Sequence, residues 1–296
     1  MDTSIFKFDK FKGINNVKDP IKLSSNELKI ATNIDITDDR IIKRRDGCIL
    51  LYGGDIHSIK GIGGLLLFVE GNKLKYLKED NTSTILATVT ANIHMVYETD
   101  GVSKIFYTNG IEIGYIDTIS LSSGLFTNPN IKYRRPIKAG HMMSFEVGRL
   151  LVARGNQVEV SIGLTPTLMD ERNGILQFDS YITLLAGVHD GFYIADNNTY
   201  FVTVNEKNEW DRKPVANYGA IPFTNVKIDT NAVGDTDIAG KVGIMWDSIK
   251  GKCIGTNGGV FKNYTERFYI PVNSGTGSSA FRNDDGMHQH ISLISN

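Results

Sequence analysis

Residues 149–162 read RLLVARGNQVEVSI, with a Gly-Asn pair between two runs rich in Leu and Val. Each run has the composition of a β-strand, and Gly155-Asn156 can adopt the positive φ angles that a two-residue hairpin turn requires. Such turns need these residues because their backbone twist must match the twist of the flanking strands. The stretch therefore predicts a tight β-hairpin.

The same pattern occurs five times along the chain. The predicted hairpins are Leu65–Glu70 with Lys73–Leu77, Lys104–Thr108 with Ile111–Ile116, Arg149–Arg154 with Gln157–Ile162, Gly191–Asp196 with Thr199–Val204, and Lys252–Thr256 with Gly259–Tyr264. Their second turn residues stand at positions 72, 110, 156, 198 and 258, which gives intervals of 38, 46, 42 and 60 residues. Propeller blades recur every ~40–50 residues, whereas a two-sheet sandwich has no reason to repeat one hairpin at a near-constant period. The sequence predicts an all-β fold, a β-propeller of about five, or six, four-stranded blades.

Further strands complete the predicted blades. Apolar runs precede the hairpins at His57–Ile59, His94–Tyr97, His141–Phe145, Ile182–Val188 and Val242–Trp246, and outer strands are expected at Thr84–Val89 and Arg267–Pro271. The longest interval indicates an insertion between Asn205 and Lys241. Residues 1–48 are expected to form an extended N-terminal arm and residues 49–296 the propeller. Because a propeller ties its last blade to its first to avoid an exposed edge, His288–Ile294 is predicted to pair with a strand such as Cys48–Tyr52.

Composition argues against several classes of protein. The formal net charge of -1 supplies no long-range field that would gather DNA phosphates or a membrane surface. Cys48 and Cys253 are far apart and lack metal-ligand spacing, so both are expected to be core thiols. No apolar run reaches the ~20 residues of a membrane helix, and the N-terminus lacks a secretory signal. We expect a protein made in the cytoplasm that does not insert into membranes.

Motifs that would carry chemistry are weak. Asp170-Glu171 is interpreted as a solvated turn, because adjacent residues of an extended chain point in opposite directions and cannot flank one glycosidic bond. His288 and His290 would share one face of a strand, and they are expected to lie exposed and unligated. Asp229, Asp235 and Asp237 lack the pattern of an EF-hand and are expected in an exposed loop. The sequence thus predicts no catalytic, cofactor or metal site, and a protein that is not an enzyme.

Candidate contact residues fall in three groups. Phe6, Phe8 and Phe11 place apolar rings on the predicted arm, where a partner or a neighbouring subunit would cover them, unless they pack on the chain's own propeller. The basic clusters are Lys43, Arg44 and Arg45, and Lys132, Tyr133, Arg134 and Arg135. Three interpretations stay open for these clusters: a solvated loop, the rim of a protein interface, or a nucleic-acid contact in which Tyr133 stacks on a base.

The order of segments resembles a known family nearly end to end. The residues concerned are FKGINNV at 11–17, ATNIDI at 31–36, IIKRRDG at 41–47, FDSYIT at 178–183, DGFYIA at 190–195, TYFV at 199–202, GTNGGVFKNYT at 255–265, SAFR at 279–282 and DGMHQHI at 285–291. They are similar to the tail hub or tail-stabilisation proteins of short-tailed bacteriophages, also called tail accessory or nozzle proteins.

That resemblance implies a structural virion protein located in the tail. It would be a propeller subunit of a homo-oligomeric ring between the head-proximal adaptor and the distal tail, helping to retain and later pass the genome. Whether the lumen touches DNA stays open. The alternative is a carbohydrate-binding or carbohydrate-processing propeller that acts on the host surface, which would need a central pocket with convergent carboxylates and aromatic rings.

Overall fold

The computed structural model describes residues 11–32, 34–36, 41–44, 49–204, 209–284 and 287–296. Within these ranges the chain forms strands, three short 3-10 segments (Pro20–Lys22, Thr230–Val233 and Asn257–Gly259) and no α-helix. None of the described residues belongs to a helix that could span a membrane. The predicted all-β class is confirmed.

The strands are numbered in chain order. The first four are β1 Gly13–Ile14, β2 Glu27–Leu28, β3 Ile34–Ile36 and β4 Ile42–Arg44. The next fourteen are β5 Ile56–Ile62, β6 Leu65–Glu70, β7 Lys73–Leu77, β8 Ser83–Thr88, β9 Val96–Thr99, β10 Lys104–Thr108, β11 Ile113–Asp117, β12 Ser123–Leu125, β13 Arg134–Pro136, β14 Met142–Glu146, β15 Arg149–Arg154, β16 Gln157–Ile162, β17 Thr165–Asp170 and β18 Ile175–Gln177. The last ten are β19 Leu184–Val188, β20 Gly191–Ala195, β21 Thr199–Val204, β22 Trp210–Ala216, β23 Val226–Asp229, β24 Val242–Ser248, β25 Gly251–Thr256, β26 Val260–Asn263, β27 Gly277–Asp284 and β28 Met287–Ile294.

Two compact units divide the chain, Leu50–Gly219 and a second that combines Met1–Ile49 with Ala220–Asn296. The first unit holds four antiparallel sheets in sequence, called here the first (β5–β8), second (β9–β12), third (β13–β18) and fourth (β19–β22). The strand that opens each meander is called here its leading strand: β5, β9, β14 and β19. Neighbouring sheets contact each other through these strands, β5 with β9, β9 with β14 and β14 with β19. Four-stranded meanders that meet in this way are the blades of a β-propeller, and the predicted propeller-type fold is confirmed.

Alternation along the strands builds the core between these sheets. On β10, Ile105 and Tyr107 are buried against the first sheet, among residues such as Leu67. Phe106 points to the opposite face and packs with Leu150 of the third sheet. Because successive side chains of a strand point to opposite faces, one strand with three consecutive apolar residues contributes to the core on both sides.

Hydroxyl groups tie each sheet to the next. A serine or threonine accepts a hydrogen bond from a backbone N–H at or just before the leading strand of the following sheet: Met95 N to Ser58 Oγ (2.8 Å), Gly140 N to Thr108 Oγ1 (3.1 Å) and Gly187 N to Ser144 Oγ (2.7 Å). Buried N–H groups need such partners. The ties explain why polar residues interrupt these apolar strands.

Two of the five predicted turns have the predicted two-residue length. Gly71-Asn72 and Gly155-Asn156 join strands in register, and positive φ occurs at the glycines alone, at 58° and 64°. The other three turns are longer than predicted. At Asn109, for example, the side-chain Oδ1 accepts from the N–H groups of Ile111 and Glu112 and stabilises a four-residue connection, a local bonding pattern that favours Asn in turns.

The third sheet departs from the four-stranded pattern. Strand β16 pairs with β15 along one edge, while its other edge pairs with β18 at residues 157–159 and with β17 at Ser161 and Ile162. The register of the pairing with β17 shifts between Ser161 and Ile162, as at a β-bulge. Strand β13 pairs with the outer edge of β17, so this sheet has six strands.

The second unit contains a fifth sheet, β23–β26. Its repeated hairpin, β25 with β26, forms the last two strands. In the first four sheets the hairpin follows directly after β5, β9, β14 or β19. The long interval before this hairpin therefore contains an additional strand, Val226–Asp229. The prediction of a strand at Arg267–Pro271 was wrong, since β26 already ends this sheet and residues 267–271 form none.

The described N-terminal residues pack on their own chain. Strand β1 runs parallel to β2, and the amide of Asn16 accepts from the N–H of Ile270 (3.0 Å) and donates to its carbonyl (2.8 Å). The predicted partner of the C-terminal strand was wrong, because β28 pairs along its length with β27 and residues 49–52 form no strand. The division into an arm, 1–48, and a propeller, 49–296, stays a prediction.

Candidate partner-binding surface

The predicted contact residues are distributed over different environments. Phe6, Phe8 and Arg45 lie outside the described residues. Phe11 is half-buried, and Lys43 and Arg44 are exposed on β4. The remaining cluster, residues 132–135, leads into β13 at the outer edge of the third sheet, where its four side chains take different roles.

The side chain of Arg135 pairs with a buried carboxylate of the third sheet. Its guanidinium donates two hydrogen bonds, of 2.8 and 2.9 Å, to the carboxylate of Glu159, whose side chain is 1% exposed. The N–H of Lys138 donates to the same carboxylate (2.9 Å). Burial opposes the charge of Glu159, but the bonds from Arg135 and Lys138 outweigh it and hold the pKa below its usual range. Arg135 is therefore a structural residue.

Tyr133 is held outward beside two cations. Its side chain is 49% exposed and its φ is 62°, a left-handed conformation that is costly for a bulky residue. Lys132 Nζ lies 4.8 Å and Arg172 Cζ 5.2 Å from the centroid of its ring, within the range of cation–π attraction. The ring is thus an oriented aromatic group at the surface.

A cleft of about 180 Å³ lies next to this group. Its lining residues are Arg134, Arg149, Val160, Ser161, Ile162, Gly163, Asp170, Asn173, Gly174, Val204 and Trp210. Within it, hydrogen bonds from the side chain and the N–H of Arg172 lower the pKa of Asp170 to about 2, so this carboxylate is ionised at neutral pH. Strand β16, which pairs with both β17 and β18 along one edge, contributes Val160, Ser161 and Ile162 to the lining.

Two aliphatic side chains form a lip beside the cleft. Val147 and Leu164 have φ angles of 53° and 60° and are 56% and 89% exposed. The N–H of Leu164 donates to the carbonyl of Gly148 (2.9 Å), which brings the two turns together. Sequence reasoning missed both residues because the preferences of Val and Leu give no signal of a left-handed backbone. The adjacent glycines, Gly148 and Gly163, were the available cue.

The histidines and aspartates that the sequence singled out as possible metal ligands have other surroundings in the structure. His290 is buried, so the expectation that it lies on an exposed face was wrong, although His288 is exposed. Lys262 Nζ lies 2.8 Å from a carboxylate oxygen of both Asp235 and Asp237 and occupies the place that a cation would need. In the described part of the chain, no group of three or more His, Cys, Asp and Glu side chains could hold a metal ion.

Comparisons with known proteins yield likenesses of fold alone. No family model matches the chain, and no curated protein matches it. Among solved structures, the chain is similar to a gluconolactonase from Xanthomonas campestris (13% identity, TM-score 0.45, covering 73% of this chain and 75% of that one). It is also similar to the Pan2 WD40 domain of Neurospora crassa (10% identity, TM-score 0.45, covering 68% and 60%) and to streptogramin B lyase (12% identity, TM-score 0.45, covering 81% and 84%). At such identities, none of the three indicates what this chain binds or does.

Proposed function

We propose that the chain is a structural protein of a short bacteriophage tail, a propeller subunit that assembles as a ring and acts through its surfaces. The sequence resemblance described above supports the location in the virion. The fold supports a scaffolding role, since its sheets are joined through buried apolar residues and hydroxyl ties that hold the surface in place. Neighbouring subunits, the head-proximal adaptor and the distal tail proteins are the proposed partners.

The observation that carries the proposal is strain at an exposed surface. Tyr133, Val147 and Leu164 all have positive φ, and all are about half exposed or more. Left-handed backbone at a residue other than glycine costs about 1–3 kcal/mol, and exposed apolar area adds to that cost. In the isolated chain about half or more of the surface of each of these residues stays in water. A partner that covers them would offset the cost, and aromatic and arginine side chains beside such a patch are typical of interface hot spots.

The test is incorporation into tails. Leu164→Asp and Tyr133→Ser are expected to change the melting temperature little, because both residues are about half exposed or more. Both are expected to reduce ring assembly and tail incorporation at least tenfold. Complementation of a phage that lacks the wild-type chain, followed by quantification of the chain in purified particles, measures the effect.

Ile119→Asp provides the matched control. Ile119 is an exposed aliphatic residue in the turn between β11 and β12, without the positive φ of Tyr133 and Leu164, so its variant is expected to assemble normally. Wild-type incorporation of both Leu164→Asp and Tyr133→Ser would contradict the proposal that this surface is an assembly contact. The arm residues Phe6, Phe8 and Phe11 can be tested in the same assay with serine substitutions.

A further inference from the structure

The cleft of the third sheet has the size of a site for one small ring. Its volume of about 180 Å³ lies below the ~300–1,000 Å³ of sites for drug-sized molecules. Val160, Ile162 and Val204 are its aliphatic lining residues. Val160 is buried, so Ile162 and Val204, which are partly exposed, supply most of this apolar surface. They would cover one face of a small molecule while the polar residues of the rim contact its edge.

Trp210 provides a flat wall. It is half-buried at the start of β22, opposite Val204 in the register of the fourth sheet. An indole ring that borders a cleft offers a large apolar face, and the C–H face of a pyranose is a complementary surface. Trp246, by comparison, is fully buried in the core of the other unit.

The rim combines a hydrogen-bond acceptor with a cation. Asp170 Oδ1 accepts from the N–H (3.0 Å) and Nε (2.9 Å) of Arg172, and Oδ2 accepts one bond from Nη2 (2.5 Å). Since a carboxylate offers about four lone-pair positions, Oδ2 can accept a further hydroxyl. Asn173 adds an amide that can both donate and accept. Arg134 adds a guanidinium, which pairs well with a planar carboxylate.

We propose that this cleft binds a saccharide unit that carries a carboxylate, such as a uronic acid residue of a surface polysaccharide. Trp210 stacks on the sugar ring, Asp170 and Asn173 bond its hydroxyls, and Arg134 pairs with its carboxylate. An acidic peptide fits less well, because its carboxylates would meet the charge of Asp170 while offering it no hydroxyl. Among the described lining residues Asp170 is the carboxylate, and the activity that we propose for the cleft is binding.

The test uses two ligands that differ by one group, methyl β-D-glucuronide and methyl β-D-glucoside. The chain has two tryptophans, and of these Trp210 lines the cleft and Trp246 is in the core. Titration of the full chain with the glucuronide is therefore expected to change the fluorescence of Trp210, and the change is expected to disappear in Trp210→Phe. Calorimetry on the same samples measures affinity independently of the fluorophore.

The variants separate the carboxylate contact from a general effect of charge. Arg134→Gln is expected to weaken glucuronide binding at least tenfold. Its affinity for the glucoside, which is weaker in the wild type, is expected to stay within twofold of the wild-type value. Lys132→Gln removes a neighbouring cation outside the cleft, and it is expected to change neither by more than twofold.

Three results would overturn the inference. They are absence of binding by both methods, equal affinity for glucoside and glucuronide, and displacement of the glucuronide by an equal concentration of inorganic phosphate or of a glutamate-rich peptide. The inference is independent of the proposed tail function, because the assembly variants at positions 133 and 164 leave the lining residues of the cleft unchanged.

Discussion

Two buried charge clusters, one in each compact unit, keep charge inside the protein by different means. In the unit Leu50–Gly219, Glu159 is held by two bonds from Arg135 and one from a backbone N–H. In the other unit, Asp247 is fully buried and lies 2.9 Å from Lys252 Nζ, which also lies 2.9 Å from Nδ1 of His290. The partners of Glu159 in the first cluster, an arginine and a backbone N–H, do not titrate at neutral or mildly acidic pH, whereas the second cluster includes a histidine.

The chemistry of that histidine follows from its neighbours. An ammonium group can only donate, so Nδ1 of His290 must be the unprotonated acceptor of the bond from Lys252. Burial and the charge of Lys252 lower the pKa of His290 to about 4, although Asp247 acts in the opposite direction. Ser292, which lies on the same strand as His290, donates a hydrogen bond to Asp247 Oδ2. The comparison teaches that a buried charge cluster built on arginine has no histidine to titrate in mild acid, whereas the cluster around Lys252 contains a neutral one.

The largest expected effect comes from breaking the arginine pair. Arg135→Ala removes the two charge-assisted hydrogen bonds of the buried Glu159 and leaves Arg154 Nη2, at 3.9 Å, as its nearest remaining cation. Breaking a buried ion pair by removing one partner typically destabilises a protein by about 3–5 kcal/mol. Chemical denaturation in urea measures the change in the free energy of unfolding. Arg134→Ala, which removes an exposed guanidinium from the adjacent position, is the control and is expected to have little effect. If both variants were equally stable, the hydrogen bonds between Arg135 and Glu159 would contribute nothing to the free energy of unfolding.

Mild acid should destabilise the second cluster. Because the pKa of His290 in the folded protein is below its ordinary value of 6.5, the unfolded chain binds the proton first as pH falls, and stability is lost between about pH 6.5 and pH 4. With about 1.4 kcal/mol for each pKa unit, the loss attributable to His290 is about 3 kcal/mol. The other groups around His290 are Asp247, Lys252, Ser292 and the backbone of Thr224. Tyr269 is a neighbour of Asp247, and burial and that carboxylate raise the pKa of its phenol.

The histidines of β28 provide a matched pair for this measurement. His290→Asn retains an acceptor for Lys252 but does not titrate, so its stability is expected to depend less on pH than that of the wild type. His288→Asn, on the exposed part of the same strand, should retain the wild-type dependence. Parallel stability–pH curves for the wild type and His290→Asn would show that the lysine–histidine contact does not govern acid sensitivity.

A smaller effect is expected from the hydroxyl of the second cluster. Ser292→Ala removes one donor to Asp247, and hydrogen bonds to charged groups contribute about 1.5–3 kcal/mol. Ser278→Ala, on the exposed face of β27, is the control in the same hairpin. Thermal unfolding of both variants at neutral pH measures the difference. Equal stability would place the hydrogen bond from Ser292 among contacts that water replaces without cost.

Local chemistry in the sequence was enough to find the strands of the repeated hairpin. Alternation along β15 and β16 and the turn at Gly155-Asn156 appear in the structure at the predicted residues, because side-chain period and turn preference act between near neighbours. The same local signals located the basic segment at residues 132–135. They could not separate Arg135, which pairs inside the sheet, from Arg134, which lines a cleft, since the separation depends on Glu159 and Trp210, distant in sequence.

Tertiary packing settled the remaining features. The split pairing of β16, the additional strand β23 before the last hairpin, and the pairing of β28 with β27 all involve a choice among several available strand edges. Strand edges expose the same N–H and C=O groups whatever their sequence, so the partner depends on which side chains can be buried together. The outward positions of Tyr133, Val147 and Leu164 belong to the same category, because their left-handed backbone persists only where the surrounding sheet holds it.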